Sequence, residues 1–454
     1  MSPTTHSPGL LGGTLRALTA GSVALVSLAA FEAVAVATAM PTVAVALDGL
    51  SGYALAFGLP LATSVLGMVV AGAWSDARGP AWPMRVGVGL FVTALLVAGL
   101  ATSMTVFTAG RALQGLGSGL FSVALYVVVG RLVPAARRPR LFAAFAAAWV
   151  LPAVVGPPVA GLLVTTVGWR WVFLLAAVLA VPATLAVEPA LRGLRAPGGE
   201  PLSAAGTWSA RRIPWAVGAA LGAVGLQEAG QLPTLPAALL AVASALVVGG
   251  SVVRLLPAGT VRARAGLPAV VALRGLVSAA FVAGEAFLPL LLSRERGLPP
   301  ALAGLILTVA ALTWATGSWI QGRDTAPART TLLRSGTASI ALGVLGAASL
   351  LVPAVPLVVG VVGWALAGLG MGLTYPTLSV LTLDLSAPSE QGTNSSALQI
   401  ADALFAAVVL ALAGVLFAAL VDAGPVAYLA GFAVAAAPAA LAVVVAGRAT
   451  KRSG

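Results

Sequence analysis

Two charged residues stand inside long apolar runs of this chain, and they carry most of the chemistry the sequence offers. Glu32 lies in "FEAVAVATAMP" and Arg111 in "GRALQGLGSGL". An ionisable side chain within an apolar segment of membrane-spanning length is costly there and is by default a functional candidate. Glu32 falls about sixteen residues into its run, and Arg111 about seven residues into a run crossing from the opposite face. At ~1.5 Å per residue both reach a similar depth, in the outer half of a bilayer. A carboxyl group poised between burial, which favours its neutral form, and a guanidinium, which favours its anion, can load and release a proton. Glu32 and Arg111 are therefore expected to face one cavity and to load and release a proton there. Glu285, 253 residues after Glu32, is expected to handle protons or attract cations in the same way. Gln114, Trp364 and Trp149 are the candidates for the cavity wall.

Other chemistry is excluded by what is missing. The sequence has no Cys, one Lys (Lys451) and one His (His6), the last two in terminal tails. No thiolate metal site, Schiff-base lysine, Walker lysine or Ser-His dyad can be assembled within the apolar runs. No cofactor and no metal are expected, and neither is an enzyme. The net charge of +12 would suggest nucleic acid in a soluble protein. Here the basic residues sit in short loops, so the expected partner is the lipid bilayer and not nucleic acid.

The elements that must position these residues follow from composition. The 454 residues are 59% hydrophobic and 8% charged, whereas ordinary soluble domains carry about 25% charged residues. Apolar runs near the length of a ~30 Å hydrocarbon core recur throughout, and in lipid they must fold as helices. The fold class is an all-α polytopic membrane protein with fourteen expected spans. Their limits are 17–40, 52–75, 84–103, 105–129, 141–165, 170–191, 213–229, 233–255, 269–293, 300–320, 332–352, 356–382, 397–421 and 425–447. With the N-terminus inside, twenty basic residues fall on the cytoplasmic side and three, Arg170, Arg294 and Arg296, outside. That bias places both termini in the cytoplasm. The first run is long for a signal peptide and carries Glu32, so it reads as a retained span.

An internal repeat organises the spans. "GRALQGLGSGL" (110–120) and "GWALAGLGMGL" (363–373) agree at eight of eleven positions, 253 residues apart. "GAWSDAR" (72–78) and "GSWIQGR" (317–323) form a second pair, 245 residues apart. Both offsets amount to eight spans, which keeps corresponding helices parallel. The expected parse is a six-helix bundle over 1–191, a linker with two inserted spans over 192–256, and a second six-helix bundle over 257–454. Parallel repeats of this kind are a transporter architecture, with the substrate site between them near the midplane. The glycines shared by the two copies serve close helix packing; Arg111 and Gln114 are what the first copy adds. In "WVLPAVVGPPVAG" (149–161) Pro152, Pro157 and Pro158 are expected to kink the fifth span, with Gly156 and Gly161 giving the bend room, as suits a gate. Asp402 and Arg274 lie at one depth and read more readily as a structural pair. Glu228 and Asp384 sit near span ends and read as interfacial.

On these residues the chain resembles the major facilitator superfamily over nearly its whole length, and within it the fourteen-span drug:proton antiporters. "GAWSDARG" looks like the family's signature loop: Gly72, Asp76 and Gly79 match it, Arg78 lies within it, and Ala77, Pro80 and Ala81 depart from it. "RALQGLGSG" is similar to the span 4 motif, which implies proton coupling for Arg111. "GPPVAG" resembles the span 5 motif of antiporters, and "FEAVAVATAMP" resembles the first-helix signature of proton-coupled drug exporters, with Glu32 at its acidic position. "GWRWVFL" also suits the fourteen-span group. The resemblance implies alternating access, efflux of a lipophilic or cationic small molecule against protons, a conformational switch at Gly72, Asp76, Arg78 and Gly79, a plasma-membrane location and a monomer. A facilitator or symporter for a metabolite is the alternative, and a polytopic membrane enzyme a remote one.

Overall fold

Long apolar runs surrounded by lipid must satisfy their backbone groups internally, and the computed structural model consists of helices and their connections, with no strands among the described residues. The structure describes residues 13–48, 53–192, 194, 203–229, 232, 234–298, 300–323 and 325–450. Parts of the expected 192–256 linker and the tail positions His6 and Lys451 lie outside them. The helices are α1 (Gly13–Ala46), α2 (Tyr53–Arg78), α3 (Ala81–Gly99), α4 (Met104–Leu132), α5 (Arg138–Thr166), α6 (Arg170–Arg192) and α7 (Ser203–Ala229). There follow α8 (Thr234–Leu255), α9 (Leu267–Arg294), α10 (Pro300–Gly322), α11 (Arg329–Ser349), α12 (Leu357–Asp384), α13 (Gln391–Ala419) and α14 (Pro425–Ala446).

Against fourteen expected spans, twelve of these helices are long and apolar enough to cross a membrane among the described residues. The other two are α7, whose apolar stretch Arg212–Leu226 is shorter, and α10, whose first side chains lie outside the described ones. Several helices outrun their apolar runs: α1 covers Gly13–Ala46 where 17–40 was expected, and α7 starts at Ser203 instead of 213. Hydropathy marks the hydrocarbon-matched stretch, whereas helical hydrogen bonds continue into the polar interface.

Neighbour choice divides the chain. α1 packs on α5 and α6, α2 and α3 pack on α4, and α3 packs on α6. Correspondingly, α9 packs on α13 and α14, α10 and α11 pack on α12, and α11 packs on α14. One buried apolar cluster is built from α1 to α6, joined by Val380 and Leu383 of α12. Another is built from α7 to α14, joined by Val65 and Val69 of α2. α1 to α6 meet α9 to α14 chiefly where α2 crosses α13 and where α5 crosses α10, and α2 also packs on α7.

The glycine frame of α4 and α12 is explained by these crossings. A Cβ on Gly115 would lie 2.1 Å from the Pro60 carbonyl oxygen, and one on Gly119 would lie 2.1 Å from that of Ser64. These two glycines, four residues apart, let α4 rest directly on the backbone of α2. Gly117, on the next face, would bring its Cβ within 2.6 Å of the Phe91 nitrogen of α3. In α12 the pattern recurs: a Cβ on Gly368 would meet the Ala310 oxygen of α10 at 2.1 Å, one on Gly372 that of Trp314 at 2.1 Å, and one on Gly370 that of Gly336 in α11 at 2.4 Å. Thr63 Oγ1 donates to the Ala112 carbonyl at 2.7 Å, and Thr313 Oγ1 to that of Ala365 at 2.7 Å, at the equivalent place.

These contacts correct the register of the second repeat. A Cβ on Gly67 would meet the Leu116 oxygen at 2.4 Å, and one on Gly317 the Leu369 oxygen at 2.4 Å. Leu116 and Leu369 are 253 residues apart, so Gly317 takes the place of Gly67, and α2 corresponds to α10 at 250 residues instead of 245. Gly72 then corresponds to Gly322. Gly72 packs on Gly392 and Ser396 of α13, and Gly322 on Pro139 and Ala143 of α5, again 253 apart. The letters shared by "GAWSDAR" and "GSWIQGR" align a motif, while the helix crossing aligns the chain.

Candidate functional site

Arg111 and Glu32 meet. α4 presents Arg111 and α1 presents Glu32, each side chain about 7% exposed, and Arg111 Nη1 donates to the Glu32 carboxylate. The same nitrogen donates to Gln114 Oε1 at 2.5 Å, one turn further along α4. Arg111 Nε donates to the Ala56 carbonyl oxygen of α2 at 3.2 Å. One guanidinium thus ties three helices together around a buried carboxylate. Charge-assisted hydrogen bonds of this kind are the strong ones, and they are what makes a buried charge tolerable.

The corresponding place in the other set of helices is built differently. Trp364, the counterpart of Arg111, is fully buried. Its ring stacks on Phe281 at 4.9 Å between centroids, and a Cβ on Gly284 would lie 3.2 Å from it. Trp364 packs here within the core instead of lining an open wall. Glu285 is exposed on α9, and no ion pair joins it among the described residues. The acid recurs; its cation does not, because an indole stands in its place. Further along, Arg274 Nε lies 3.3 Å from Asp402 Oδ1, and Tyr375 Oη donates to that oxygen at 2.5 Å. The Arg274 guanidinium also lies 3.5 Å from the Tyr375 ring centroid. The expected Asp402–Arg274 pair is therefore a three-helix cluster of α9, α12 and α13.

The signature loop closes the end of the molecule that holds most of the arginines. Asp76 Oδ1 accepts from the Gly392 amide and Oδ2 from the Thr393 amide, each at 2.7 Å. Those amides belong to the first turn of α13, where unpaired N–H groups and the helix dipole favour an anion. Gly79 follows with φ +84, a left-handed conformation that glycine adopts without Cβ strain, and it turns the chain from α2 into α3. Arg78 is exposed; it is Arg131 whose Nη2 donates to the Ser75 carbonyl at 3.1 Å and closes the end of α2. Replacing Asp76 by Asn removes the charge at the helix terminus, an interaction of about 0.3–2 kcal/mol. D76N is expected to open this seam more often. With no native Cys, a cysteine placed at the buried Ser395 should react with maleimide several-fold faster in the D76N background; an unchanged rate would remove the switch role from Asp76.

α5 runs unbroken from Arg138 to Thr166 through the proline-rich segment. Pro152 is buried, and the side chain of Pro157 lies outside the described ones. A Cβ on Gly156 would make only ordinary contact with Val34 of α1 at 3.5 Å, and one on Gly161 would meet nothing within 4 Å. Close packing therefore does not demand glycine at either position. Trp149 is 50% exposed on the same helix.

Asp384 reads from the sequence as interfacial, and the structure gives it two cationic partners. Its carboxylate lies 3.0 Å from Arg138 Nη1 and 2.8 Å from Arg329 Nη2, joining the N-terminus of α5 to α12 and α11. Arg138 Nη2 also donates to the Gly130 carbonyl at 2.7 Å. Nothing local signals this cluster, because Arg138 and Asp384 are 246 residues apart.

Comparison with known proteins agrees with the geometry. The sequence model of the Major Facilitator Superfamily matches residues 22–408. The probable multidrug-efflux transporter Rv1634 of Mycobacterium tuberculosis (strain H37Rv) is 28% identical over 425 residues, covering 87% of this chain and 86% of that protein. The multidrug transporter protein MdtP of Bacillus subtilis (strain 168) is 29% identical over 181 residues, and the match spans only 34% of its length. Among solved structures, the human organic anion transporter MFSD10 superposes with a TM-score of 0.69 at 16% identity, over 95% of this chain and 99% of that one. A bacterial homologue of the iron transporter ferroportin, in an outward-facing state, gives 0.66 at 15% identity over 94% and 98%. The repeated glycine crossings, the signature loop seated on α13 and a match over most of the chain lead to one assignment: this chain is a multi-pass membrane transporter, not an enzyme, and belongs to the Major Facilitator Superfamily.

Proposed function

We propose that the protein exports lipophilic or cationic small molecules in exchange for protons by alternating access. The observation that carries this reading is the buried Glu32–Arg111–Gln114 cluster, where a carboxyl group shared by two moving helices has a permanent cation beside it. Protonating Glu32 would release Arg111 from its partner, so gain or loss of the proton changes how α1 and α4 hold together. Rv1634, whose name describes a probable multidrug-efflux transporter, supports export as the direction. The six helices of 1–191 and the six of 257–454 would rock against each other about the midplane, with the 192–256 segment adding α7 and α8 between them. Gln114 and Trp149 would line the cavity in front of Trp364, and Glu285 would draw cations toward it. Pro152, Gly156, Pro157 and Gly161 would let α5 bend as the gate moves.

In this scheme the arginine-rich end faces the cytoplasm together with both termini, and the protein works as a monomer in the plasma membrane. The contacts of Gly72, Asp76 and Asp384 then hold the cytoplasmic side closed. The test is uptake of ethidium by inside-out vesicles under an imposed pH gradient. Wild type should accumulate ethidium only while the gradient lasts. Glu32→Gln should lower that gradient-driven rate by about 100-fold, within the range that one positioned proton-transfer group contributes. Uptake indifferent to the gradient would leave a facilitator, and a fully active E32Q would move the proton site elsewhere.

A further inference from the structure

The two seams where the helix sets meet are equivalent in backbone but not in surroundings. At the α2–α13 seam, α7 packs against α2 and α13, and α8 packs against α13. Among the described residues neither inserted helix packs extensively on α5 or α10, which leaves the α5–α10 seam without the cover that α7 and α8 give the other. Beside it, at the arginine-rich end, lies a cleft of about 600 Å³. Arg140 of α5 stands on one side and Arg323, just past the end of α10, on the other, above a floor that includes Ala143, Ala144 and Ala315. Trp319 forms part of the wall and is 61% exposed, with the Arg323 guanidinium 4.7 Å from its ring centroid.

Charge and apolar surface are continuous here. Leu312, Thr316 and Trp319 are exposed along one stripe of α10, at i, i+4 and i+7, leading away from the arginines toward the middle of the span. Three carboxylates near this end are already engaged: Asp76 on α13, Asp384 with Arg138 and Arg329, and Glu188 with Arg85 and Arg192. Arg323 has no carboxylate ion pair among the described residues and lies over the Trp319 ring. Arginine beside exposed tryptophan at the end of a span suits the lipid headgroup level, and basic clusters there attract anionic lipid.

We infer that this cleft binds an anionic phospholipid, its phosphodiester between Arg140 and Arg323 and an acyl chain along Trp319 and Leu312. A guanidinium matches phosphate oxygens with paired N–H donors, and the alanine floor leaves room for the headgroup. A free phosphate would use the arginines but not the apolar stripe, and that stripe commits the site to lipid. Because Arg140 belongs to α5 and Arg323 follows α10, the bound lipid bridges the seam and favours the conformation closed at this end. The site depends on neither the transported molecule nor the proton.

The test uses the full chain reconstituted in phosphatidylcholine bilayers containing either brominated phosphatidylglycerol or brominated phosphatidylcholine at equal mole fraction. Subtracting the quenching of Trp319→Phe from that of wild type isolates the Trp319 signal. Brominated phosphatidylglycerol should quench that signal about fivefold more effectively, as attraction to a basic cluster requires. In the doubly substituted R140Q/R323Q protein the two lipids should quench alike. Equal quenching in wild type, or a phosphatidylglycerol preference that survives R140Q/R323Q, would overturn the site. Both arginines are exposed, and a circular dichroism melt matching wild type checks that R140Q/R323Q keeps the fold.

Discussion

Arg111→Met is expected to lower stability by about 3–5 kcal/mol, the usual cost of stripping one partner from a buried ion pair. The loss has two sources. Glu32 is left in a site about 7% exposed without its counter-ion, and Gln114 Oε1 and the Ala56 carbonyl lose their donor. Glu32→Gln should cost less, because a neutral amide oxygen can still accept from the guanidinium. The double variant E32Q/R111M should be more stable than R111M alone, since no unpaired carboxylate remains buried. Thermal melts of the four proteins in one detergent give the coupling between the two positions directly. Additive effects would mean that the two residues do not depend on each other, and the cluster would lose its standing as a unit. Arg111→Lys adds a second reading: it keeps the charge but lacks the fork that reaches Glu32, Gln114 and Ala56 together. It should fold better than R111M and still fail in gradient-driven transport.

Gly115→Ala should be among the most damaging single-methyl substitutions in the molecule. The new Cβ would lie 2.1 Å from the Pro60 oxygen and 2.2 Å from Thr63 Oγ1. The nearest obstacle is backbone, so no rotamer change relieves it, and α2 and α4 must separate. Overpacking typically costs about 1–3 kcal/mol, and a backbone-to-backbone clash places G115A at or above the upper limit. Gly368→Ala should behave alike, since its Cβ would meet the Ala310 oxygen at 2.1 Å. Gly161→Ala is the control: nothing lies within 4 Å of its Cβ, and the gain in helix propensity should stabilise by about 0.4–1 kcal/mol. Melting temperatures in one detergent should therefore fall for G115A and G368A and hold or rise for G161A. A G115A protein as stable as wild type would show that the glycine frame is not what sets the helix spacing.

Much of this molecule is legible in its letters. Lipid as solvent demands apolar runs of a fixed length, so hydropathy found the helices, and twelve of them are long and apolar enough to span. Counting residues from the span ends put Glu32 and Arg111 at one depth, and in the structure they touch. The repeat exposed the glycine frame, and at the crossings Gly115 and Gly119 face carbonyl oxygens of α2 just as Gly368 and Gly372 face carbonyl oxygens of α10. Sequence determined the all-helical class, the apolar helices and the repeated glycine motif, because each of these depends on distance along the chain or on solvent.

Direction around a helix is different. In a membrane helix the face toward lipid and the face toward protein are equally apolar, so periodicity does not say which way a residue points. Only the crossings decided that Trp364 turns into the core, that Asp384 joins Arg138 to Arg329, that Asp76 reaches α13, and that α2 matches α10 at an offset of 250 instead of 245. These facts follow from where small residues let two backbones approach, a property of helix pairs far apart in the chain, and it exists only once the tertiary structure has formed.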